Sequence, residues 1–101
     1  MPTKLISPKK YRKTLYRVPR RRKVEVQVEA SAPVSVYVID EADLGRFREG
    51  RQFSGFSVVD KRMLDKEITL PFEPGDDWYL VIENESEDTP VAVHYEVYDV
   101  A

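Results

Sequence analysis

A chain of 101 residues, of which 42% are hydrophobic and 11% aromatic, has enough apolar side chains for one domain with a single core. It contains no cysteine, which excludes disulfide bonds, a thiolate zinc site and a cysteine nucleophile. The formal net charge of −2 hides a strong asymmetry: residues 1–23 hold ten Lys/Arg and no acid, whereas residues 24–101 hold six Lys/Arg against eighteen Asp/Glu, a charge of −12. Such an asymmetry concerns the partners of a protein rather than its fold.

The first 23 residues are predicted to form a basic N-terminal arm. Prolines at positions 2, 8 and 19 argue against a long helix there, and residues 11–18 alternate in a way that suits an edge strand with basic side chains. The basic residues near the start are not followed by an apolar segment, so this is not the pattern of a signal peptide. No apolar run approaches the roughly 18 residues of a membrane helix. We therefore expect a soluble, cytoplasmic protein.

Residues 24–31, VEVQVEAS, alternate valine or alanine with polar residues and predict a strand with one face in water. Ala32-Pro33 predicts a turn, and residues 34–39 predict a second strand that pairs with the first in antiparallel fashion. Asp40 is then expected to cap a helix of one or two turns that ends at Gly50, with Leu44 and Phe47 contacting the core.

The middle of the chain predicts two short strands with a connection between them. Residues 53–59 form the first strand, with Phe53 and Phe56 pointing inward. Residues 60–65 are interpreted as the connection, and residues 66–70 alternate as the second strand.

Residues 71–88, PFEPGDDWYLVIENESED, contain a Pro-Gly turn and then a strand over 78–83. Both faces of this strand are apolar for part of its length, which indicates a central strand covered on both sides. Asn84 suits a left-handed or side-chain-bonded turn, and residues 90–99 alternate as the last strand. The pattern as a whole predicts an all-β fold, a single antiparallel β-sandwich of about six to eight strands with one short helix, in which the arm at 1–23 precedes a sandwich domain at 24–101.

The strand after the Pro-Gly turn also carries a resemblance. Together with the early VYVID strand, the short DLGRFREG helix and the closing VAVHYEVYD strand, this region resembles small β-sandwich domains of the GOLD and emp24-like kind and related bacterial sandwich modules. The resemblance implies a non-catalytic interaction module, often one part of a larger assembly. The basic arm is not part of that pattern, so partner and compartment do not carry over. The residues that match are Pro74, Gly75, Trp78, Tyr79, Leu80, Val81, Ile82, Glu83 and Asn84.

Catalysis is not expected from this sequence. The single histidine, His94, lies in the middle of a strand, and no GxSxG, P-loop or HExxH motif occurs. Carboxylates cluster in turns, where water makes their environments similar, whereas acid–base catalysis needs two different environments. We predict that the protein is not an enzyme and that it has no catalytic residue and no cofactor.

The acidic turns also supply oxygen atoms of the kind that calcium prefers. Their spacing matches no EF-hand loop, so solvated turn acids are the favoured interpretation and no metal site is predicted. A stripe of tyrosine and tryptophan at a sandwich edge is a further site type, for a sugar or another ligand. A calcium- or carbohydrate-binding sandwich therefore stays open as an alternative. The turn acids are Asp76, Asp77, Glu83, Glu85, Glu87 and Asp88.

The arm supplies the predicted binding residues. Guanidinium and ammonium groups bind carboxylates by charge-assisted hydrogen bonds and by long-range attraction. We therefore predict a non-enzymatic protein-interaction or assembly module whose partner is an acidic protein surface or another copy of the chain. The alternative is an RNA- or DNA-binding accessory protein that uses the same arm, with Tyr11 and Tyr16 stacking on bases, although the charge of −12 on the rest of the chain disfavours it. The predicted protein-binding residues are Arg20, Arg21, Arg22 and Lys23, supported by Lys9, Lys10, Arg12 and Lys13.

Overall fold

A computed structural model of the protein describes residues 3–52 and 56–100. Within those residues all strand pairs are antiparallel and one short helix is present, so the predicted all-β class is confirmed. The helix has eight residues and is too short and too polar to span a membrane. In chain order the elements are β1 (Lys4–Ile6), β2 (Tyr11–Arg17), β3 (Lys23–Ile39), α1 (Glu41–Arg48), β4 (Phe56–Thr69), β5 (Asp77–Glu83) and β6 (Val91–Asp99).

The long strand β3 organises the sheet. The strands follow the order β1-β6-β3-β5-β2. Along one edge, β3 pairs with β6 up to Ala30 and with β5 from Ser35 onward. Along its opposite edge, β3 pairs with β4. The described strands thus form one continuous sheet that curls at the middle of β3, and the division into the two separate sheets of a sandwich stays a prediction.

Two predicted interruptions of this sheet are wrong. The chain does not turn back at Ala32-Pro33, because β3 continues through these residues. The register of the β3–β4 pair shifts between Glu29 and Val34 and again between Val34 and Val36. Proline lacks a backbone N–H, and an irregularity of this kind is where a strand tolerates that loss. Residues 60–65 are likewise part of β4 rather than a connection, because β4 follows β3 across the same bend.

One apolar cluster lies inside the curl. It combines side chains from both halves of β3 with side chains from β5 and β6, so the two ends of the sheet share a core. Each fully buried valine, leucine or isoleucine contributes roughly 1.5–3 kcal/mol to stability. Phe56 is partly buried against this cluster as predicted, whereas Phe53 lies outside the described residues. The cluster includes Val24, Val26, Val28, Val36, Val38, Trp78, Leu80, Ile82, Val91 and Val93.

The helix covers the opposite face of β5. Asp40 caps it as predicted, since its side chain accepts a hydrogen bond of 2.8 Å from the amide of Asp43. Leu44 packs with Val81 in a second buried cluster, and Phe47 packs beside it. Strand β5 is therefore apolar on both faces because the shared core covers one and α1 covers the other, which confirms the central strand predicted from WYLVIE.

The basic N-terminal arm contains β1 and β2, which are the first and the last strand in the order of the sheet. β1 pairs with β6, and β2 pairs with β5, where it forms the predicted edge strand. Ile6 of β1 and Val18, directly after β2, are each only 3% exposed. Residues 4–18 are therefore an integral part of the sheet and its core.

Candidate functional site

Three consecutive arginines lie in the turn between β2 and β3, which we call the basic turn (residues 19–22). The turn is closed by a hydrogen bond of 2.9 Å from the amide of Arg22 to the carbonyl of Pro19, and the carbonyl of Arg22 accepts a bond of 2.7 Å from the amide of Leu70. The backbone is therefore fixed against the end of β4. Arg20, Arg21 and Arg22 are all exposed, and none of them makes an ion pair or a side-chain hydrogen bond with another described residue.

The backbone of Arg22 adopts the left-handed conformation, with φ of 57°. Lys9, in the turn before β2, does the same with φ of 60°. For a residue with a Cβ atom this conformation costs roughly 1–2 kcal/mol, and glycine or asparagine usually occupies it. Within the described residues these are the two non-glycine positions with positive φ, and both hold a basic residue of the predicted site. Sequence reasoning did not detect this strain, because neither turn contains the glycine or asparagine that marks a left-handed position.

The other predicted residues divide between two places. Lys9 and Lys10 lie in the turn before β2, where the Lys9 Nζ is 3.2 Å from a carboxylate oxygen of Glu87 and both groups are well exposed. The basic turn follows the opposite end of β2. A strand of seven residues spans about 20 Å, so the structure does not gather the eight predicted residues into one site.

Arg12, Lys13 and Lys23 each have a neighbour in the fold. Arg12 Nε donates to the hydroxyl of Tyr95 at 2.9 Å, and Lys13 Nζ lies 5.8 Å from the centroid of the Tyr79 ring. Lys23 Nζ is 3.8 Å from Glu67 Oε1. Because these interactions are exposed, each contributes little to stability. Each nevertheless gives the positive charge of its side chain a neighbouring group within the fold. Four of the eight predicted cations thus have no side-chain partner among the described residues, and three of these four lie in the basic turn, the fourth being Lys10.

A cleft of about 450 Å³ opens between β2 and β6, and we call it the seam. β2 pairs with β5 on one side only, and β6 pairs with β1 only at residues 91–93. Among the described residues, both strands thus have a length of backbone edge without a strand partner facing the cleft. The lining residues are Lys4, Thr14, Tyr16, Tyr95, Glu96, Val97 and Tyr98.

Hydrogen bonds bridge the seam at one point. The Tyr95 hydroxyl lies 2.6 Å from Thr14 Oγ1 and also accepts the bond from Arg12 Nε. Tyr16 stacks on the buried Trp78 with 5.0 Å between ring centroids. Desolvation by burial, with a smaller contribution from Tyr95, raises the pKa of Tyr16 above its ordinary value, so this hydroxyl stays neutral and able to donate. The local sequence pattern does not reveal the seam, because Tyr16 and Tyr95 meet only through the curl of the sheet.

Carboxylates dominate the outer face of β4, β3 and β6, which we call the acidic face. The strand register places Glu25 between Glu67 and Tyr98, and Gln27 between Asp65 and Glu96. Like charges directly opposite each other on neighbouring strands are unfavourable, and Glu25 faces Glu67 in this way. The charge asymmetry of the sequence is therefore also a spatial one. The carboxylates of the acidic face are Glu25, Glu29, Asp65, Glu67 and Glu96.

The acids after β5 are partly engaged rather than only solvated. Tyr37 donates to Glu83 at 3.3 Å, and Ser35 donates to Glu85 at 2.8 Å. Desolvation and, to a lesser extent, the charge of Glu85 raise the pKa of Glu83, while Tyr37 and Lys9 oppose the rise. Within the described ranges no group of three or more acidic or histidine side chains is arranged to hold a metal ion, so the calcium alternative has no candidate ligand set there.

The single histidine is also placed by the structure. His94 lies on the outer face of β6, opposite Glu29 of β3, and its Nε2 is 3.9 Å from Glu96 Oε1. No hydroxyl nucleophile bonds to it among the described residues. The geometry therefore gives no support for a catalytic dyad at this position.

No protein-family model matches the chain, and no curated protein is significantly similar to it. The resemblance to GOLD-like domains thus remains a prediction based on the strand that is β5 in the structure.

Proposed function

We propose that this chain is a non-enzymatic protein-interaction module whose basic turn binds an acidic surface of a partner protein. Arg20, Arg21 and Arg22 supply the guanidinium groups, which bind carboxylates with two parallel hydrogen bonds each. Lys9, Lys10, Arg12 and Lys13 add long-range attraction along β2, which speeds the encounter and does not itself form the contact.

The observation that carries this proposal is the state of Arg22. Its side chain is exposed and has no partner among the described residues, yet its backbone conformation is one that glycine adopts without strain. Arginine at this position therefore lowers the stability of the fold, and its side chain forms no interaction with another described residue that offsets this cost. Strain of this kind clusters at functional sites, and the function that suits an exposed guanidinium group is binding an anion.

The charge layout favours protein over nucleic acid as the anion. The acidic face spans three strands and would repel a polyanion that extends beyond the basic turn. A local acidic patch or a short acidic segment of a partner protein contacts the basic turn without extending across that face.

The test is a capture experiment with full-length baits. Deleting residues 1–23 is unsuitable, because it removes β1, β2 and the buried Ile6 and Val18. The test variant is instead Arg20→Ser, Arg21→Ser and Arg22→Gly. Its matched control is Arg51→Ser, Arg62→Ser and Lys66→Ser, three exposed cations elsewhere in the chain. Both variants change the net charge from −2 to −5, so they differ in the location of the lost charge and not in its amount.

Each bait is exposed to nuclease-treated lysate, and bound proteins are quantified at low and at physiological salt. The proposal expects an acidic protein that the wild type and the control variant retain, that the test variant loses, and that salt releases. Equal retention by both variants would show that the basic turn is not the contact. Binding of random oligonucleotides by the wild type, with a steep salt dependence and loss in the test variant, would instead support the nucleic-acid alternative.

A further inference from the structure

The seam runs along the backbone of β6. Four consecutive residues of this strand line it, from Tyr95 to Tyr98, and consecutive side chains point to opposite faces of a sheet. A cleft that touches all four therefore lies beside the strand and not over one face of it. The cleft lies along the same edge of β6 as β1 and begins just past Val93, where the pairing of β6 with β1 ends at Lys4. Among the residues that the structure describes, none pairs with this edge of β6 at residues 94–99, which is about 17 Å long and enough for a strand of roughly six residues.

Cations stand at both ends of this edge. Lys4 and Arg12 lie near its start, where Arg12 contacts the Tyr95 hydroxyl. At its end, the amide of Val100 donates to the carbonyl of Lys23 at 3.0 Å, which brings the end of β6 next to the basic turn. Glu96 is the single carboxylate among the lining residues. An extended segment that enters the seam therefore meets positive charge at each end.

The middle of the seam is aromatic. Tyr16, Tyr95 and Tyr98 surround the cleft together with Val97, and a volume of about 450 Å³ holds one or two large side chains. In an added strand every second side chain points to the same face, so one aromatic or large apolar residue enters the cleft while its neighbours stay in water.

We propose that the seam binds an extended acidic segment of a partner protein, which adds to β6 as a further strand. Backbone hydrogen bonds to residues 94–99 supply the affinity, as in other strand-addition complexes. An aromatic or large apolar side chain fills the cleft that Tyr16, Tyr95 and Tyr98 line, and flanking carboxylates pair with Arg12 at one end and with the basic turn at the other. This inference deepens the proposed function and rests on it, since it names the kind of partner segment that the basic residues recognise.

A displayed library of random seven-residue peptides, panned on the folded wild-type chain, tests this directly. The enriched peptides are expected to combine acidic residues with a central aromatic or large apolar residue. A peptide from the enriched set is then synthesised, and its Kd is measured by fluorescence anisotropy. The seam variant is Tyr98→Ala, and the matched control is Met63→Ala, an exposed apolar residue on the edge strand β4. Their wild-type side chains are 46% and 71% exposed, so neither change is expected to disturb the core.

The proposal expects Tyr98→Ala to weaken the peptide about tenfold, while Met63→Ala leaves the Kd unchanged. It also expects amides within residues 94–99 to exchange hydrogen more slowly when the peptide is bound. A panning experiment without enrichment, or one that enriches basic peptides, overturns it. If acidic peptides bind through Arg20, Arg21 and Arg22 but ignore Tyr98→Ala and protect no amide of β6, the seam proposal fails and the proposed function stands. If Tyr98→Ala weakens binding and the arginine variant does not, the role of the basic turn fails instead.

Discussion

Asn84 is the buried polar residue that fastens β1 to the turn after β5, and its replacement by alanine should be severely destabilising. The side chain is fully buried. Its Nδ2 donates to the carbonyl of Ile6 at 3.0 Å and to the carbonyl of Thr89 at 2.8 Å, and its Oδ1 accepts from the amide of Ser86 at 3.0 Å. The backbone amide of Asn84 also donates to the carbonyl of Lys10.

The size of the loss follows from these three side-chain bonds. Each hydrogen bond contributes about 1 kcal/mol net, and a buried carbonyl that loses its partner costs about a further 1–3 kcal/mol. The bond to Ile6 is the buried one, so that penalty applies once. We expect Asn84→Ala to lower the free energy of unfolding by about 4–6 kcal/mol, a large part of the roughly 5–15 kcal/mol of a typical domain.

Urea unfolding followed by circular dichroism measures this change. The control is Ser86→Ala, which removes the hydroxyl of a half-buried residue in the same turn that accepts from the exposed amides of Thr89 at 3.1 Å and Asp88 at 3.4 Å. The control should cost about 1 kcal/mol or less. In the Asn84 variant, the amides of β1 should also exchange hydrogen faster than those of β3, because the tie to Ile6 is gone. A loss below about 1 kcal/mol for Asn84→Ala would refute the reasoning.

Three further changes separate stability from binding. Arg22→Gly should raise the free energy of unfolding by about 0.5–1 kcal/mol, because the strain relieved exceeds the extra entropy of glycine in the unfolded chain, and it should weaken partner binding; a loss of stability in urea unfolding would contradict this. Leu44→Ala should cost about 2–5 kcal/mol in the same assay, because it empties the contact between α1 and Val81; a cost below about 1 kcal/mol would mean that α1 is not anchored there. Glu83 has a folded-state pKa above its ordinary 4.5, so it binds protons more tightly in the folded state, and its contribution to stability is lost as pH rises from about 4.5 through the raised pKa. Glu83→Gln should therefore be more stable relative to wild type at neutral pH than at about pH 4, and a stability difference that does not vary with pH would contradict this.

The sequence alone predicted correctly those caps, turns and strand faces that depend on neighbouring residues in the chain. The capping carboxylate of Asp40, the turn at Pro74-Gly75 and the two apolar faces of β5 all follow from the neighbouring residues and hold in the structure. The side-chain-bonded turn at Asn84 also follows from the chemistry of asparagine, whose amide bonds to nearby backbone groups.

The remaining features depend on contacts between distant parts of the chain. Proline at 33 usually predicts a turn, but pairing with β4 on both sides of the register shift keeps β3 extended. The seam requires the curl that brings β2 beside β6, which no short window of sequence encodes. The sequence predicted both the basic residues and the edge strand at 11–18. It nevertheless grouped the basic turn with Lys9 and Lys10, because only the pairing of β2 with β5 fixes these two groups at opposite ends of an extended strand.

The side-by-side capture by the wild type, the triple variant of Arg20, Arg21 and Arg22, and the matched control at positions 51, 62 and 66 tests the central claim most directly. The ratio of each bound protein between the two variants is the quantity to measure, since both carry a net charge of −5. The account predicts at least one acidic protein that the control retains and the triple variant loses. A ratio of one for all captured proteins would contradict it, because the basic turn would then contribute nothing beyond bulk charge.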